Sequence, residues 1–423
     1  MLDQISSEIE NLAPEAERLF YEIAKISSDG SGITRPAFCR QETAAGDIIR
    51  KFAELEGLSC GIDGVGNFQY ELPGSDNGSM VIMGSHLDSV PVGGNYDGLA
   101  GVIGGVLVQV ACKRLSIAPP HKLRTIGFRG EESPWFGIAY VGSRLLLGQL
   151  TKAELEKLKH KITGKTLAQH LEELGIKTSE VSLSKNRLAV DSVRAYLELH
   201  IEQGPVLESK GIPIGAATAI RGNIRHPFAV CRGEYGHSAA VPRNLRRDAV
   251  IATARFIAKA DQFWKELFDT GNHDDLIVTF GILSTNHAEH AMTKIPGETN
   301  FSFAISSINN TVLAKLYNDL MAEARKIEKE LNVSFDFGQQ AGTEAVRLSD
   351  EFIVKTETTA KELHLSSMRI PTVGHDAALF ARAGIPTGVI IVKNQNGSHN
   401  IHEAMKIDDF LGATKVLASC ALI

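Results

Sequence analysis

Four short apolar runs, each followed closely by polar residues, limit the folds open to this chain. They are SMVIMGS (79–85), KLRTIGFR (122–129), RAYLELH (194–200) and PTGVIIV (386–392). Runs of this length and composition are typical of central strands that are covered on both faces of a sheet. Helix-like segments alternate with them, beginning with the apolar residues at helical spacing from Leu2 to Ile26. The alternation predicts an α/β protein with a parallel or mixed sheet.

The length of 423 residues predicts two domains, because a single core stops growing near about 250 to 300 residues. The segment 215–331 has its own rhythm of strand, helix, two strands and helix, and a strand at VSFDFG (333–338) would complete it. This order is that of a small ferredoxin-like α+β domain. We therefore expect a larger domain made of residues 1–214 and 332–423, with residues 215–331 inserted into it.

The charge of the chain argues against a nucleic-acid or membrane partner. Its formal net charge is -6, from 44 basic and 50 acidic residues that form no long run of one sign, so it lacks an electrostatic footprint for DNA, RNA or anionic lipid. The most apolar window, LAGVIGGVLVQVAC (99–112), is too short to span a bilayer and predicts a buried helix. We therefore expect a small-molecule or peptide substrate.

Cysteine usage and the first residues of the chain predict a cytoplasmic protein. The five cysteines form no CxxC pair and are odd in number, which suits reduced thiols better than a disulfide framework. The segment MLDQISSEIENLAPEAERLF carries acidic residues throughout and lacks the apolar stretch of a secretory signal.

The motif GSHLDSVPVGGNYDG (84–98) has the residues of half a metal site. His86 offers an imidazole nitrogen, Asp88 is near enough to orient that ring, and Asp97 beyond the glycine-rich turn could bridge two ions. Taken alone, each fragment would more often be a solvated strand end or a turn.

Further motifs place similar side chains at strand ends: FRGEESPWF (128–136), LELHIEQGPVLE (197–208) and GSHNIHE (397–403). They supply Glu131, Glu132, His200 and His399. Open α/β sheets bind ligands beyond the carboxyl ends of their strands, so these side chains should meet there. Three histidines and two carboxylates at one edge suit zinc, cobalt, manganese or nickel.

Other catalytic signatures are missing from the sequence. It has no GxSxG elbow and no GxxxxGK[ST] loop for nucleotides. The motif GEYGHSAAVP (233–242) adds His237, which is either a turn histidine or a donor to a developing oxyanion.

The order and wording of these motifs resemble the family of allantoate amidohydrolases and N-carbamoyl-L-amino-acid hydrolases (hydantoinase-carbamoylases). That family includes β-ureidopropionase and is related to aminoacylases and dinuclear zinc exopeptidases. The resemblance runs nearly end to end, and its landmarks are GSHLDSV, GGNYDG, EES, ELHIEQGPVLE, GHS, RRDA, IPGE, GHDAALFA and GSHN.

The resemblance implies a zinc-exopeptidase-like catalytic domain with two divalent ions per subunit. Zinc is favoured, with manganese, cobalt or nickel as alternatives. One ion would be held by His86 and His200, the other by Glu132 and His399, and Asp97 would bridge them.

The resemblance also implies roles for residues that hold no metal. Glu131 would be the catalytic base and Gln203 would face the substrate. The inserted domain would be a lid that forms a homodimer, with His237 reaching into the partner's active site.

The chain departs from the family pattern where the substrate would bind. An Asp-x-Arg whose arginine binds the substrate carboxylate reads Ala304, Ile305 and Ser306 here, and a pocket asparagine is Thr293. Serine cannot replace a guanidinium in bidentate recognition, and losing such a contact costs about 1.5 to 3 kcal/mol.

The chain departs from the family pattern at two further places: an insertion at 285–291, and Trp135-Phe136 in place of Arg-Phe. Either the natural substrate lacks the carboxylate, or another cationic side chain recognises it. The candidates are Arg221, Arg225, His290 and Lys294.

We therefore expect an amidohydrolase that cuts a linear amide or ureido carbon–nitrogen bond with metal-activated water. An N-acyl amino-acid or dipeptide hydrolase is the alternative enzyme. A degenerate binding protein is the non-enzymatic alternative, and retention of Glu131 with all five ligand candidates argues against it.

Overall fold

In this computed structural model, the chain is divided into two units. The structure describes residues 2–74, 78–181, 187–271 and 273–423. Unit 1 comprises Met1–Thr218 and Leu348–Ile423, and unit 2 comprises Ala219–Arg347. The strands, numbered along the chain, are β1 (Ser59–Ile62), β2 (Phe68–Glu71), β3 (Met80–His86), β4 (Lys122–Phe128), β5 (Val193–Ile201), β6 (Ile214–Ile220), β7 (Gly222–Arg232), β8 (Gly236–His237), β9 (Ile277–Thr285), β10 (Lys294–Ile295), β11 (Glu298–Ser307), β12 (Ser334–Asp336), β13 (Ala341–Thr343), β14 (Val346–Arg347), β15 (Ser367–Thr372) and β16 (Thr387–Val392).

The helices, numbered in the same way, are α1 (Leu2–Asn11), α2 (Ala13–Ser27), α3 (Arg40–Leu55), α4 (Leu99–Arg114), α5 (Val141–Leu146), α6 (Lys152–Lys157), α7 (Leu167–Glu173), α8 (Thr178–Val181), α9 (Val206–Lys210), α10 (Ala249–Asp269), α11 (Asn310–Leu331), α12 (Asp350–Glu362), α13 (Ala377–Arg382) and α14 (Ile407–Ala421). Among the described residues, none of them combines the length and the apolar character that a membrane crossing requires.

The central sheet of unit 1 confirms the predicted α/β class with a mixed sheet. Its strand order is β1-β2-β4-β3-β5-β16-β6. The four apolar runs form β3, β4, β5 and β16, and these neighbours are parallel, while β1, β2 and β6 pair antiparallel with their neighbours. Because parallel strands point the same way, the carboxyl ends of the four runs lie at one edge of the sheet.

The predicted buried helix is α4, and it delivers a functional residue to that edge. Every residue from Leu99 to Cys112 is buried. A Cβ at Gly101 would lie 2.3 Å from the carbonyl oxygen of Leu199 on β5, so glycine lets the helix approach the sheet closely. The start of α4 therefore holds Asp97, two residues earlier, against the ends of the central strands.

Unit 2 has the βαββαβ order that the sequence predicts. Its elements are β7, α10, β9, β11, α11 and β12, and the antiparallel sheet has the order β12-β7-β11-β9. Along β11, buried and half-buried residues alternate. The buried face, with Phe301 and Phe303, packs in one core with Phe256 of α10 and Leu316 of α11.

The bounds of unit 2 differ from the expected segment 215–331. The unit starts at Ala219 and continues to Arg347. It extends further because β12 and β13 pair with β7, and because β14 pairs with the last residues of β6. The sequence predicts β12 at 333–338, whereas β13 and β14 are too short to show apolar periodicity, so the expected end at 331 falls short of Arg347.

Candidate functional site

The carboxyl edge of the central sheet collects the side chains that the sequence singles out. His86 ends β3, Glu131 and Glu132 follow β4, His200 lies near the end of β5, and His399 follows β16. All of them except His399 are buried, and the side chain of His399 is 50% exposed.

Two groups of potential ligands share Asp97. In the first, Asp97 Oδ1 lies 3.2 Å from His200 Nε2 and 3.5 Å from His86 Nε2. In the second, His399 Nε2 lies 3.3 Å from Asp97 Oδ2 and 3.1 Å from Glu132 Oε1. Ligand atoms about 2.0 to 2.1 Å from a tetrahedral ion are about 3.3 Å apart. Both groups therefore have the spacing of a metal site.

Backbone carbonyls fix which nitrogen of each buried histidine faces the group. His86 Nδ1 lies 3.0 Å from the carbonyl oxygen of Asp88, and His200 Nδ1 lies 3.0 Å from that of Ile201. A carbonyl only accepts, so each Nδ1 carries the proton and each Nε2 presents its lone pair to Asp97. This is the usual arrangement of a metal-binding histidine.

Two buried polar atoms in the first group have no hydrogen-bond partner among the described residues: Asp97 Oδ1 and His200 Nε2. Buried polar atoms are nearly always paired. Two electron-pair donors facing each other at 3.2 Å are satisfied by a cation between them, so the residues present fit a metal ion.

The electrostatics of the site favour positive charge in the same place. The carboxylates of Asp97 and Glu132 raise the pKa of His399 to about 11. Burial raises the pKa of Glu132, although its hydrogen bond with His399 opposes the shift. Positive charge beside the buried acids is therefore favourable, and a divalent ion can supply it.

Asp88 contacts different partners from those that the sequence suggested. The expected contact is between its carboxylate and the His86 ring, but the ring N–H meets the backbone carbonyl of Asp88, and Oδ1 is 3.4 Å from Nδ1. Instead, Asp88 Oδ1 accepts the backbone amide of Glu131 (3.0 Å), and Oδ2 accepts that of Glu132 (3.1 Å). The carboxylate thus fixes the backbone of the paired acids.

Glu131 lies at the inner edge of the group. Its Oε2 is 3.9 Å from His86 Nε2, and only 8% of the residue is exposed. Burial, reinforced by the negative charge of Glu132, raises the pKa of Glu131 well above its ordinary value, although His86 opposes the shift. A raised pKa makes this carboxylate a better proton acceptor.

Gln203 contacts the shared aspartate directly. Its Nε2 donates to Asp97 Oδ2 at 2.7 Å, and its backbone adopts a left-handed φ of 64°. Its Oε1 is buried without a hydrogen-bond partner among the described residues. The backbone N–H of Gln203 donates to Oδ1 of the buried Asn394 at 3.1 Å, and this bond holds the left-handed turn in place.

Sequence reasoning gave no role to several residues that support the site. Glu403 Oε1 accepts the backbone amides of Tyr96 and Asp97. The Ser398 hydroxyl lies 2.6 Å from Asp97 Oδ2 and 2.5 Å from Glu403 Oε2, and its single proton can be donated to either carboxylate. Glu403 and Ser398 lie in the quoted motif GSHNIHE, so proximity to His399 was the signal that could have found them.

Two other supporting residues had weaker signals. Arg35 is fully buried, and its guanidinium donates to the carbonyl of Leu87 and to Asn95 Oδ1, both at 2.8 Å. It therefore ties the segment after β3 to the glycine-rich turn before Asp97. The ring of His375, from the motif GHDA, lies 4.1 Å from that of His200 between ring centres.

The remaining predicted site residues lie in unit 2. His237 is an exposed residue of β8, and its Nδ1 accepts the amide of Ala239 at 3.2 Å. Thr293 is exposed just before β10, and its carbonyl accepts the amide of Ser238 at 2.9 Å. β8 and β10 pair antiparallel, so these two residues belong to one local structure.

Arg225 and Ser306 lie on neighbouring strands of the unit 2 sheet. Arg225 on β7 pairs with Ala304 on β11, and Asn223 pairs with Ser306. Side chains two residues apart on a strand point to the same face, so Arg225 and Ser306 share the face opposite the helices. Arg225 is exposed.

Comparison with known proteins finds a family model, described as peptidase family M20/M25/M40, that matches residues 82–422. N-carbamoyl-L-amino acid amidohydrolase of Geobacillus stearothermophilus is 29% identical, covering 95% of this chain and 97% of the relative. Ureidoglycolate hydrolase of Oryza sativa subsp. japonica is 31% identical, covering 95% and 82%. Allantoate amidohydrolase of Escherichia coli is 28% identical, covering 92% of each.

Solved structures are also similar to this chain over nearly its whole length. An amidohydrolase/peptidase from Burkholderia cenocepacia is 28% identical, with a TM-score of 0.79 over 96% of this chain and 97% of that one. An amidase of the hydantoinase/carbamoylase family from Burkholderia multivorans has a TM-score of 0.84 over 96% and 97%, at 24% identity. The second likeness concerns the fold alone.

Proposed function

The chain belongs to peptidase family M20/M25/M40, and from this membership we propose that it is a metal-dependent amidohydrolase acting on a linear amide or ureido bond of a small molecule. The bond cut is a carbon–nitrogen bond other than a peptide bond. The relatives named above are, by their names, hydrolases of N-carbamoyl amino acids, ureidoglycolate and allantoate. The observation that carries the proposal is the pair of ligand groups that share Asp97 beside Glu131.

We propose two divalent ions per subunit, with zinc favoured and manganese, cobalt or nickel as alternatives. His86 and His200 would hold one, Glu132 and His399 the other, and Asp97 both. Imidazole and carboxylate ligands suit these metals. Bound there, the ions would supply the positive charge that makes water acidic and polarises a carbonyl group.

Glu131 moves the proton in this mechanism. Its carboxylate accepts a proton from the attacking water and gives it to the nitrogen that leaves when the carbon–nitrogen bond breaks. Asp88 positions Glu131 through its amide. Gln203 would face the substrate through its unpaired Oε1, and His237 would donate to the oxyanion that forms at the carbonyl carbon.

For a substrate carboxylate we propose Arg225 as the binding group. The other three candidates are engaged: Arg221 Nε donates to the carbonyl of Asp275, Lys294 contacts Glu289, and His290 Nδ1 lies 2.7 Å from Thr285 Oγ1. The side chain of Arg225 makes no hydrogen bond or ion pair within the described part of the chain. It lies on the same sheet face as Ser306, on the neighbouring strand.

Substrate kinetics test this assignment. The change Arg225→Met should raise KM by about tenfold or more for substrates with an α-carboxylate, and leave substrates without it nearly unchanged. Arg232→Met is the matched control, because Arg232 lies on the same strand but is paired with Asp336. Equal effects on both substrate classes would reject the role of Arg225.

Metal replacement tests the proposed function itself. The protein is stripped with a chelator, reloaded singly with zinc, manganese, cobalt or nickel, and assayed with ureido and N-acyl substrates. We expect no turnover without metal, recovery with at least one ion, and ammonia released from ureido substrates. An N-acyl amino-acid or dipeptide hydrolase would release a carboxylic acid and an amine instead. A folded, reloaded protein that cuts neither class would overturn the proposal.

We further propose a cytoplasmic homodimer formed through the lid, which is unit 2. In support of the dimer, β9 is an edge of its sheet and exposes Ile277, Ile282 and Leu283 by 41%, 55% and 58%. An exposed apolar edge strand is a site for pairing with a second chain. Light scattering should give twice the chain mass, and Ile282→Lys should shift it towards the monomer.

A further inference from the structure

Cys39, His160 and His170 come together in unit 1 at a place that the proposed mechanism does not use. Cys39 is the residue before α3, His160 follows α6, and His170 lies in α7. One potential ligand atom from each lies within 4.8 Å of the other two. The histidines are 1% and 3% exposed, and Cys39 is half-buried.

We propose that these three side chains form a second cation site, separate from the five ligands above, that takes an exchangeable thiophilic divalent ion such as zinc. Thiolate with two imidazoles is a ligand set that zinc accepts, and it leaves one position for water. The proposal does not depend on the hydrolase function.

The distances suit such an ion. Cys39 Sγ lies 3.7 Å from His160 Nε2. An ion about 2.3 Å from sulfur and about 2.0 Å from nitrogen, at a tetrahedral angle, places those atoms about 3.5 Å apart. His170 Nδ1 donates to the carbonyl of Phe38 at 3.2 Å, which leaves Nε2 with a lone pair beside the Thr163 hydroxyl at 2.9 Å. A carbonyl commonly holds a metal-binding histidine in this way.

The free site resists the ion in two ways, and both make binding reversible. The half-buried Cys39 thiol must lose its proton, since the sulfur–metal bond forms as the S–H bond breaks and the proton leaves to solvent. His160 Nδ1 accepts the amides of Ile162 (3.2 Å) and Thr163 (3.3 Å). An ion at Nε2 moves the ring proton to Nδ1, where it opposes both amides, so segment 161–163 must shift.

The site is open to solvent ions. Cys39 and His170 line a cavity of about 470 Å³, together with Lys165 and Glu173. An ion can therefore reach the sulfur without unfolding of the surrounding helices.

A shift of segment 161–163 would also move the segment after β4, which carries Glu131 and Glu132. The His160 ring stacks on Trp135 at 5.6 Å between centroids, and the amide of Lys161 donates to the Trp135 carbonyl at 2.8 Å. Trp135 Nε1 donates to the carbonyl of Ser89, beside Asp88, at 3.0 Å. Because Trp135 follows Glu132 by three residues, occupation of the site should lower turnover.

Cadmium titration of the metal-loaded protein tests binding, because thiolate-to-cadmium charge transfer absorbs in the ultraviolet and the five ligands of the other site include no cysteine. We expect one saturable thiolate band per chain, lost in Cys39→Ser and kept in Cys60→Ser. Cys60 is the matched control: it is half-buried too, but among the described residues its Sγ has hydrogen-bond contacts with backbone carbonyls alone. His170→Gln, which leaves the sulfur in place, should weaken binding by more than about tenfold.

The outcomes decide the proposal without reference to the hydrolase assay. A missing band in the wild type, or a band that survives Cys39→Ser, overturns the site. If Cys39→Ser does not fold, the affinity of His170→Gln decides in its place. The coupling is measured separately: zinc added to the loaded enzyme should lower turnover in the wild type and not in Cys39→Ser, and equal inhibition of both would reject it.

Discussion

The carboxylate of Asp88 accepts the backbone amide of Glu131 at 3.0 Å, across 43 positions of the chain. Its second oxygen accepts the amide of Glu132. Asp88, after β3, therefore orients the backbone of Glu131 and Glu132, after β4. The backbone carbonyl of Asp88 also accepts a hydrogen bond from the His86 ring. The segment that presents a predicted ligand also aims the predicted base.

Replacing Asp88 by asparagine should disturb both acids at once. An asparagine oxygen can accept one amide, but its NH₂ group opposes the other, so we expect a loss of about 2 kcal/mol in the free energy of unfolding. Metal affinity should fall by about 10- to 100-fold, and kcat should fall more than KM rises. Urea unfolding, metal titration and steady-state kinetics measure these effects.

Asp63→Asn is the control for that experiment. Asp63 Oδ1 also accepts two backbone amides, those of Val65 and Asn67, at 2.9 and 2.8 Å, but it contacts none of the predicted ligands. It should lose stability and keep kcat. If Asp88→Asn behaves in the same way, then Asp88 has no positioning role.

Glu131→Gln should remove nearly all turnover while the ions stay bound. A glutamine cannot accept the proton of water, so kcat should fall by about 10²- to 10⁴-fold, with metal content per chain unchanged by atomic spectrometry. Glu132→Gln is the comparison, since it should lose metal as well. A Glu131→Gln enzyme with near-normal kcat would show that another group is the base.

The pH dependence of stability should contain a contribution from His160. Burial, with His170 as a second cause, lowers the pKa of His160 to about 4, against about 6.5 in an unfolded chain. Between these values the unfolded chain binds more protons, so stability falls as pH falls from about 6.5 to 4, by about 1 to 3 kcal/mol.

His160→Gln should therefore flatten this part of the stability curve, measured by urea unfolding in the presence of a chelator. The exposed His287→Gln is the control, and its curve should run parallel to that of the wild type. A His160→Gln curve that also runs parallel would contradict the assignment.

Val92 carries backbone strain that a single change should relieve. It adopts a φ of 53°, in the left-handed region that β-branched residues rarely enter. Val92 is 43% exposed. Val92→Asn should raise the free energy of unfolding by about 1 kcal/mol, because asparagine tolerates this conformation. Val354→Asn, exposed in the middle of α12, should give no such gain. Unchanged stability of Val92→Asn would mean that the strain is absorbed elsewhere.

Local patterns in the sequence predicted most of the fold correctly. The four apolar runs became β3, β4, β5 and β16 within one or two residues of the expected bounds. This worked because burial of a strand on both faces requires a run of apolar side chains, which is visible without any tertiary information. Unit 2 continues beyond the expected residue 331, because β13 and β14 are too short to show a period.

Chain direction and strand ends can be read from the residues alone, and they bring His86, Glu132, His200 and His399 to the carboxyl edge of the sheet, where Asp97 meets them. Which atoms touch depends on the packed structure. The N–H of His86 donates to the backbone carbonyl of Asp88 rather than to its carboxylate, and Cys39 contacts His160 across 121 positions. Periodicity reports burial, which is local in sequence, whereas a hydrogen bond or a ligand pair depends on side-chain directions set by packing between distant segments.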